Sequence, residues 1–199
     1  TQMLAAISHD LRTPITLMRL RSELVEDETD RQKMLETLDE MEHMISLTLE
    51  FARQESETEE RRKVDISALV GSICNDLEDA GKDVSFEDCE KTLFECAPVG
   101  MKRVVSNLVE NAVKYGEAAQ VYVTSDDNNV EIKICDKGPG IPEVHLTKVL
   151  QPFYRCEESR NRDTGGVGLG LSIAQSIVEA HGGQLMLRNR DEGGLEVKV

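Results

Sequence analysis

The sequence predicts an α+β protein in two parts. A helical hairpin that dimerises into a four-helix bundle comes first, and a sandwich of one mixed sheet with helices on one face follows. Three observations carry this expectation. The first fifty-odd residues hold two apolar rows at alternating four-three spacing, separated by a polar turn. Gln54 to Lys63 is wholly polar, which sets the domain boundary there, with expected domains 1–56 and 57–199. Beyond it helical and strand periods alternate, and neighbouring strands are joined by short turns, which argues against a doubly wound parallel sheet.

The first helix is expected over residues 1 to about 26, with Leu4, Leu11, Met18 and Val25 at one core position and Ile7 and Pro14 at the other. Glu28-Thr29-Asp30 reads as a turn, with Thr29 or Asp30 as N-cap of a second helix carrying Met34, Leu38, Met41, Ile45, Thr48 and Ala52. One hairpin cannot bury two apolar rows, so a homodimer is expected, and His43 reads as a surface residue. Further on, Val64 to Ile66 is a short strand and Ser67 to about Ala80 a helix. Val84 to Phe86 and Thr92 to Cys96 are strands, and Pro98 to Tyr115 is a helix. Gln120 to Ser125 pairs with Val130 to Asp136 through an Asp-Asp-Asn-Asn turn. Gly168 to His181 is a helix closed by Gly182-Gly183, ahead of two strands, Gln184 to Arg188 and Leu195 to Val199.

Charge and composition narrow the function. A formal charge of −15 argues against nucleic-acid or anionic-membrane binding, because phosphate contacts need clustered Lys and Arg. The acidic runs Glu26 to Glu28 and Glu55 to Glu60 fall in the expected turn and linker, where solvation explains them. Five cysteines without C-x-x-C spacing read as reduced thiols, with structural zinc disfavoured. No apolar run is long enough to span a bilayer, and no signal peptide is visible. Thr1 opens inside a helical pattern and Val199 closes inside a strand, so the chain is expected to be a fragment of a longer protein.

The heptad frame puts His9 farthest from the seam, where a bulky reactant could reach it, with Asp10 adjacent and Thr13 one turn along nearly the same face. Alone, that is a solvated surface histidine. Three downstream segments change its meaning. In Asn107-Leu108-Val109-Glu110-Asn111-Ala112-Val113-Lys114-Tyr115, the packed side carries Val104, Val105, Leu108 and Ala112, and Asn107 and Asn111 form a polar pair beside it. The pair is either solvated helix surface or a site where Asn111 offers an oxygen to Mg²⁺, Lys114 reaches a phosphate and Tyr115 lies against base or ribose. In Val130 to Pro142, strand parity turns Asp136 to the core face with Ile132 and Ile134, where a carboxylate needs a donor such as an adenine amino group. Gly138 and Gly140, ahead of Ile141, let the backbone approach a ring; an aspartate opening an ordinary turn is the other reading. In Thr164 to Ser172, Gly166, Gly168, Leu169 and Gly170 lead into a helix, a phosphate cradle or merely a flexible loop. Arg155, Arg160 and Arg162 border a polar stretch that could close over a triphosphate, and no Walker A pattern occurs.

These segments, in this order, resemble bacterial two-component sensor histidine kinases. Ser8 to Pro14 looks like the phosphoacceptor box, Asn107 to Tyr115 the N box and Asp136 to Pro142 the G1 box. Pro152 to Arg155 looks like the F box, and Gly166 to Gly170 the G2 box. Ala97-Pro98 departs from the commoner aspartate-proline, and is expected to affect only local turn capping. The resemblance implies an ATP-dependent kinase that phosphorylates His9, with Asp10 accepting a hydrogen bond from the imidazole. It implies Mg²⁺ on Asn111 with Asn107 nearby, and Lys114, Tyr115, Arg155 and Arg162 on phosphate or ribose, with Asp136 on adenine. It also implies transfer to a response-regulator receiver domain, Thr13-dependent phosphatase activity, and a cytoplasmic position in an inner-membrane-anchored sensor. An ATP-hydrolysing switch of the same fold is disfavoured, because Asn107 stands where such enzymes place a glutamate base. A non-catalytic dimeric scaffold is disfavoured because His9, Asp10, Asn111 and Asp136 are all present.

Overall fold

The structure, a computed structural model, describes residues 2–54, 59–87, 90–126, 129–156 and 168–199. In the first two helices the side chains described are those of residues 11–39, 41, 42 and 45. The chain divides into two compact units: among the described residues, 2–54 with 168–169 form the first, and 59–156 with 170–199 the second. Among the described residues no helix is long and apolar enough to cross a membrane.

The first unit is a hairpin of α1 (Gln2–Ser22) and α2 (Glu28–Gln54). α1 stops at Ser22, earlier than the apolar row suggests. The Ser22 hydroxyl donates to the Arg19 carbonyl at 2.8 Å, and the Leu24 and Val25 N–H groups turn back to Arg21 and Ser22, both at 3.1 Å. The second helix starts earlier than expected because Asp27, rather than Thr29 or Asp30, is the cap. Its carboxylate accepts the Asp30 N–H at 2.9 Å. The buried row on α1 is Ile15 and Ser22, seven residues apart, with Leu38 buried on α2. Arg19 forms ion pairs with Asp39 and Glu42 across the two helices. The expected seam residues Leu11 and Met18 are 41% and 51% exposed.

The second unit opens with β1 (Arg62–Asp65) and α3 (Ile66–Asp79), where the Asp65 carboxylate caps the helix through the Ala68 N–H at 3.3 Å. β2 (Asp83–Glu87), β3 (Leu93–Cys96), α4 (Pro98–Gly116), β4 (Ala118–Ser125) and β5 (Val130–Asp136) follow. α5 (Glu143–Leu146), α6 (Gly170–Ala180), β6 (Met186–Asn189) and β7 (Leu195–Lys198) complete it. β1 and β3 form their own antiparallel pair, where the sequence pointed to one sheet. The main sheet has the order β2-β4-β5-β7-β6 and is mixed, because β2 runs parallel to β4 and the other pairs are antiparallel.

Strand alternation divides the sheet faces. Ala119, Val121 and Val123 of β4 and Ile132 and Ile134 of β5 are buried, as are Val70 of α3, Val104, Val105 and Leu108 of α4, and Ile173 and Val178 of α6. On the other face Lys133 lies over the Tyr122 ring, with its Nζ 4.5 Å from the centroid, and Lys198 pairs with Glu131 at 3.1 Å. α6 starts at Gly170, two residues later than expected, because Gly168 takes φ +76° and cannot be helical. Its end follows the expectation: Gly182 has φ +78°, and the Gly183 N–H donates to the Val178 carbonyl at 3.0 Å. The four cysteines among the described residues, Cys74, Cys96, Cys135 and Cys156, are free thiols.

Candidate functional site

The last turn of α4 and the turn after β5 are packed without room for a side chain between them. A Cβ on Gly116 would lie 2.4 Å from the Asp136 Cβ, and one on Gly138 would lie 2.5 Å from the Tyr115 carbonyl oxygen. Asp136, at the end of a strand face otherwise filled by Ile132 and Ile134, is 7% exposed. Its Oδ1 accepts the Gly138 N–H at 2.8 Å and the Leu195 N–H at 3.0 Å. Parity therefore places the carboxylate as read. Its donors on that oxygen are main-chain groups, so burial alone does not call for a ligand there.

The next residues are clasped from β6. The Asn189 amide accepts the Ile141 N–H at 2.8 Å and donates to the Ile141 carbonyl at 2.7 Å. The Arg190 guanidinium donates to the Asp136 carbonyl at 2.8 Å. Gly140 sits at φ +73°, and a Cβ there would meet the Asn189 Oδ1 at 2.6 Å. Sequence reasoning missed Asn189, Arg190 and Gly116. Their partners lie tens of residues away, and locally Asn189-Arg190 is only the start of a β turn.

The third segment joins through Gly170. The Asn107 amide donates to the Gly170 carbonyl at 3.4 Å, and a Cβ on Gly170 would come 3.4 Å from the Asn111 Nδ2. The start of α6, with its positive dipole end, thus stands beside the polar pair of α4. Gly168 and Leu169 immediately precede that start; Gly166 and Arg162 lie outside the described residues.

Two cations share the end of α4. Burial lowers the Lys114 pKa, the Arg155 guanidinium lowers it further, and Glu110 partly offsets both. Burial raises the Tyr115 phenol, with Arg155 opposing and Cys156 reinforcing. Tyr115 is 40% exposed, with the Lys114 Nζ 5.4 Å from its ring centroid. Like charges disfavour each other's ionised form, which accounts for the Arg155 part of the Lys114 shift. The chain reaches Arg155 through Phe153, an exposed aromatic at φ +64°, a backbone conformation rarely adopted by bulky residues. His145 Nδ1 lies 2.6 Å from the Tyr154 hydroxyl and steadies this segment on α5. Among the described residues no cluster of three His, Cys, Asp or Glu could hold a metal.

His9 and Asp10 belong to the other unit, within α1; their side chains lie outside those described. Thr13 is exposed one turn along, and Pro14 sits inside the helix, where it removes one backbone donor.

Residues 1–57 match the "His Kinase A (phospho-acceptor) domain", and residues 96–199 match the "Histidine kinase-, DNA gyrase B-, and HSP90-like ATPase" family. The whole chain is 38% identical to the sensor histidine kinase GtrS of Pseudomonas aeruginosa and spans 41% of its length. The whole chain likewise aligns, at 34% identity, with the sensor protein kinase WalK of Staphylococcus epidermidis, and spans 36% of its length. The chain therefore spans less than half the length of these two relatives. A crystal structure of full-length ShkA in complex with AMPPNP superposes on 99% of this chain and 44% of that one, with a TM-score of 0.74; at 22% identity the likeness speaks for the fold. With one family match covering more than half of its length and a phospho-acceptor domain in front of it, the chain belongs to the histidine kinase-, DNA gyrase B- and HSP90-like ATPases as a two-component sensor histidine kinase.

Proposed function

We propose that the chain transfers the γ-phosphoryl group of ATP to His9, passes it to an aspartate of a response-regulator receiver domain, and also dephosphorylates that regulator. Residues 1–56 act as the dimeric phosphoacceptor and residues 57–199 as the nucleotide unit. The observation that carries this reading is the packing of the end of α4 against the turn after β5, and of the start of α6 against Asn107 and Asn111. The positive dipole end of α6, with Lys114 and Arg155, suits a triphosphate. Asp136 and the glycine-lined turn, clasped by Asn189, take the adenine. Tyr115 and Ile141 flank it, with Gly166, Gly168, Leu169, Gly170 and Arg162 toward the phosphates.

Asn111 fits Mg²⁺ by its chemistry, since a hard amide oxygen beside phosphate oxygens and water suits that ion, which would neutralise charge on the phosphates. The unprotonated imidazole nitrogen of His9 attacks the γ-phosphorus, the bond to the bridging oxygen breaks, and ADP leaves. Asp10 accepts a hydrogen bond from the other ring N–H and fixes the tautomer. Asn107 spends its amide on Gly170 and lacks a basic group, which supports phosphoryl transfer to protein over transfer to water. By the same reading the chain works in the cytoplasm as a homodimer, joined to a membrane through segments outside it.

Incubation with Mg²⁺ and γ-labelled ATP tests the proposal. Acid-labile label on the protein supports it, free phosphate alone means an ATPase, and neither means a scaffold. Thr13 tests the phosphatase step. Its position four residues after His9 is about 40° around the helix, close enough to orient water on a docked acyl phosphate. Thr13→Ala should leave His9 labelling largely intact and slow regulator dephosphorylation at least tenfold; if both rates fall together, Thr13 is structural.

A further inference from the structure

Every helix N-terminus leaves main-chain donors to be satisfied, and α4 solves this in an unusual way. Its N-cap, Ala97, has extended backbone (φ −78°, ψ 107°) and no side-chain acceptor, and Pro98 contributes no N–H. The Val99 and Gly100 N–H groups donate instead to the two carboxylate oxygens of Glu59, at 2.9 and 3.0 Å. The register explains how a residue forty positions upstream arrives there. β1 pairs Arg62 with Cys96 in antiparallel fashion, and continuing that pairing three residues sets Glu59 opposite Val99.

Two neighbours extend the attachment. Arg61 donates to the carbonyl of Ala180, the last residue of α6. His181 accepts the Ala97 N–H on Nε2 at 3.0 Å, so Nδ1 carries the proton and donates to the Ile177 carbonyl at 2.7 Å. A carboxylate thus meets the positive end of α4 and a guanidinium the negative end of α6, the signs each helix dipole favours. Gly100 keeps the approach open, since a Cβ there would stand 3.2 Å from Ile177 Cγ2.

We propose that Glu59, assisted by Arg61, is a positioning residue for phosphoryl transfer. It fastens the end of the interdomain linker to the head of the helix that carries Asn107, Asn111, Lys114 and Tyr115, so that the chain leaves the nucleotide unit from a fixed point. This rests on the proposed kinase reaction, whose rate depends on in-line placement and falls about a hundredfold for a misplacement of about 1 Å.

The test separates cap from fastening. The substitution Ala97→Asp puts a carboxylate at the N-cap itself, where it would accept the same two N–H groups without holding the linker. In the full chain, with rates taken where circular dichroism shows every variant folded, Glu59→Ala should lower Tm and cut His9 labelling at saturating ATP at least tenfold. The KM for ATP should stay within twofold. Adding Ala97→Asp should restore Tm and leave the labelling rate low. Recovery of the rate together with Tm, or a Glu59→Ala rate within twofold of the parent, overturns the proposal. If Ala97→Asp does not restore Tm, the Glu59→Ala rate and KM decide by the same limits. A parent chain that takes up no acid-labile label overturns the kinase reading itself.

Discussion

The hairpin and the nucleotide unit meet the demand for burial in different ways. In the nucleotide unit, Ile66, Val70, Val104, Val105, Leu108, Val121, Ile134 and Ile173 are at most 1% exposed, because helices cover one whole face of the sheet. In the hairpin, the described apolar side chains that are buried are Ile15 and Leu38, whereas Leu11, Leu17, Met18, Leu20, Met34 and Met41 are 41–64% exposed. Two helices have too few faces to enclose a core, and in the proposed dimer a second copy would supply the missing ones. The nucleotide unit buries its core by itself, whereas the proposed dimer would complete the hairpin. The proposed phosphoacceptor and the proposed dimer contact would then lie on one helix.

The strongest way to break this contrast is to charge the exposed row. Leu11→Asp with Met18→Asp removes apolar burial worth about 1.5–3 kcal/mol per side chain, counted on both copies. The dissociation constant should rise more than a hundredfold, read as a fall in light-scattering mass at micromolar concentration, while nucleotide affinity stays within twofold. A parent chain that is already monomeric there would refute the dimer. The reciprocal experiment attacks the closed unit. Gly116→Ala drives a methyl group into Asp136, an overpacking that costs about 3 kcal/mol or more at so short a distance. ATP affinity should fall at least tenfold with the dimer mass unchanged; an affinity within twofold would mean that this packing does not shape the nucleotide site.

A smaller effect sharpens the same comparison through pH. Burial pushes the Cys74 thiol from 9.0 up to about 11. The folded state holds this proton more tightly than the unfolded chain, so the stabilisation is fully present below pH 9 and is lost as pH rises toward 11. At pH 10 the loss is on the order of 1 kcal/mol. Urea unfolding of the nucleotide unit should show it between pH 8 and 10, and Cys74→Ala should remove that part of the decline; an identical decline in the variant would assign it elsewhere.

What could be read in the residues beforehand was whatever depends on local period. The order and type of the longer elements, the packed side of α4 and the inward face of Asp136 all follow from spacing within one segment, whereas the short α5 was not read. Contacts set by register were out of reach. The acidic run around Glu59 read as solvated linker, yet Glu59 caps α4 once β1 and β3 pair. The Ala97-Pro98 departure thus has a remedy forty residues away. Asp136 was expected to need a ligand donor, and the Leu195 N–H reaches it only because the turn before β7 folds back beside β5. In the hairpin, the heptad identified an apolar row without saying which row faces α2 and which faces outward. Asp27 was overlooked as a cap because Thr29 and Asp30 compete for that role in sequence.

On the proposed function the hairpin accepts the phosphoryl group and the other unit holds the nucleotide. Two variants of the full chain, His9→Ala and Asn111→Ala, test this division of labour when Mg²⁺-dependent nucleotide affinity and acid-labile label are measured on the same preparations. His9→Ala should take no acid-labile label and bind nucleotide within severalfold of the parent, whereas Asn111→Ala should lose at least tenfold in Mg²⁺-dependent affinity and its label with it. Persistent acid-labile label on His9→Ala, or unchanged affinity in Asn111→Ala, would contradict it.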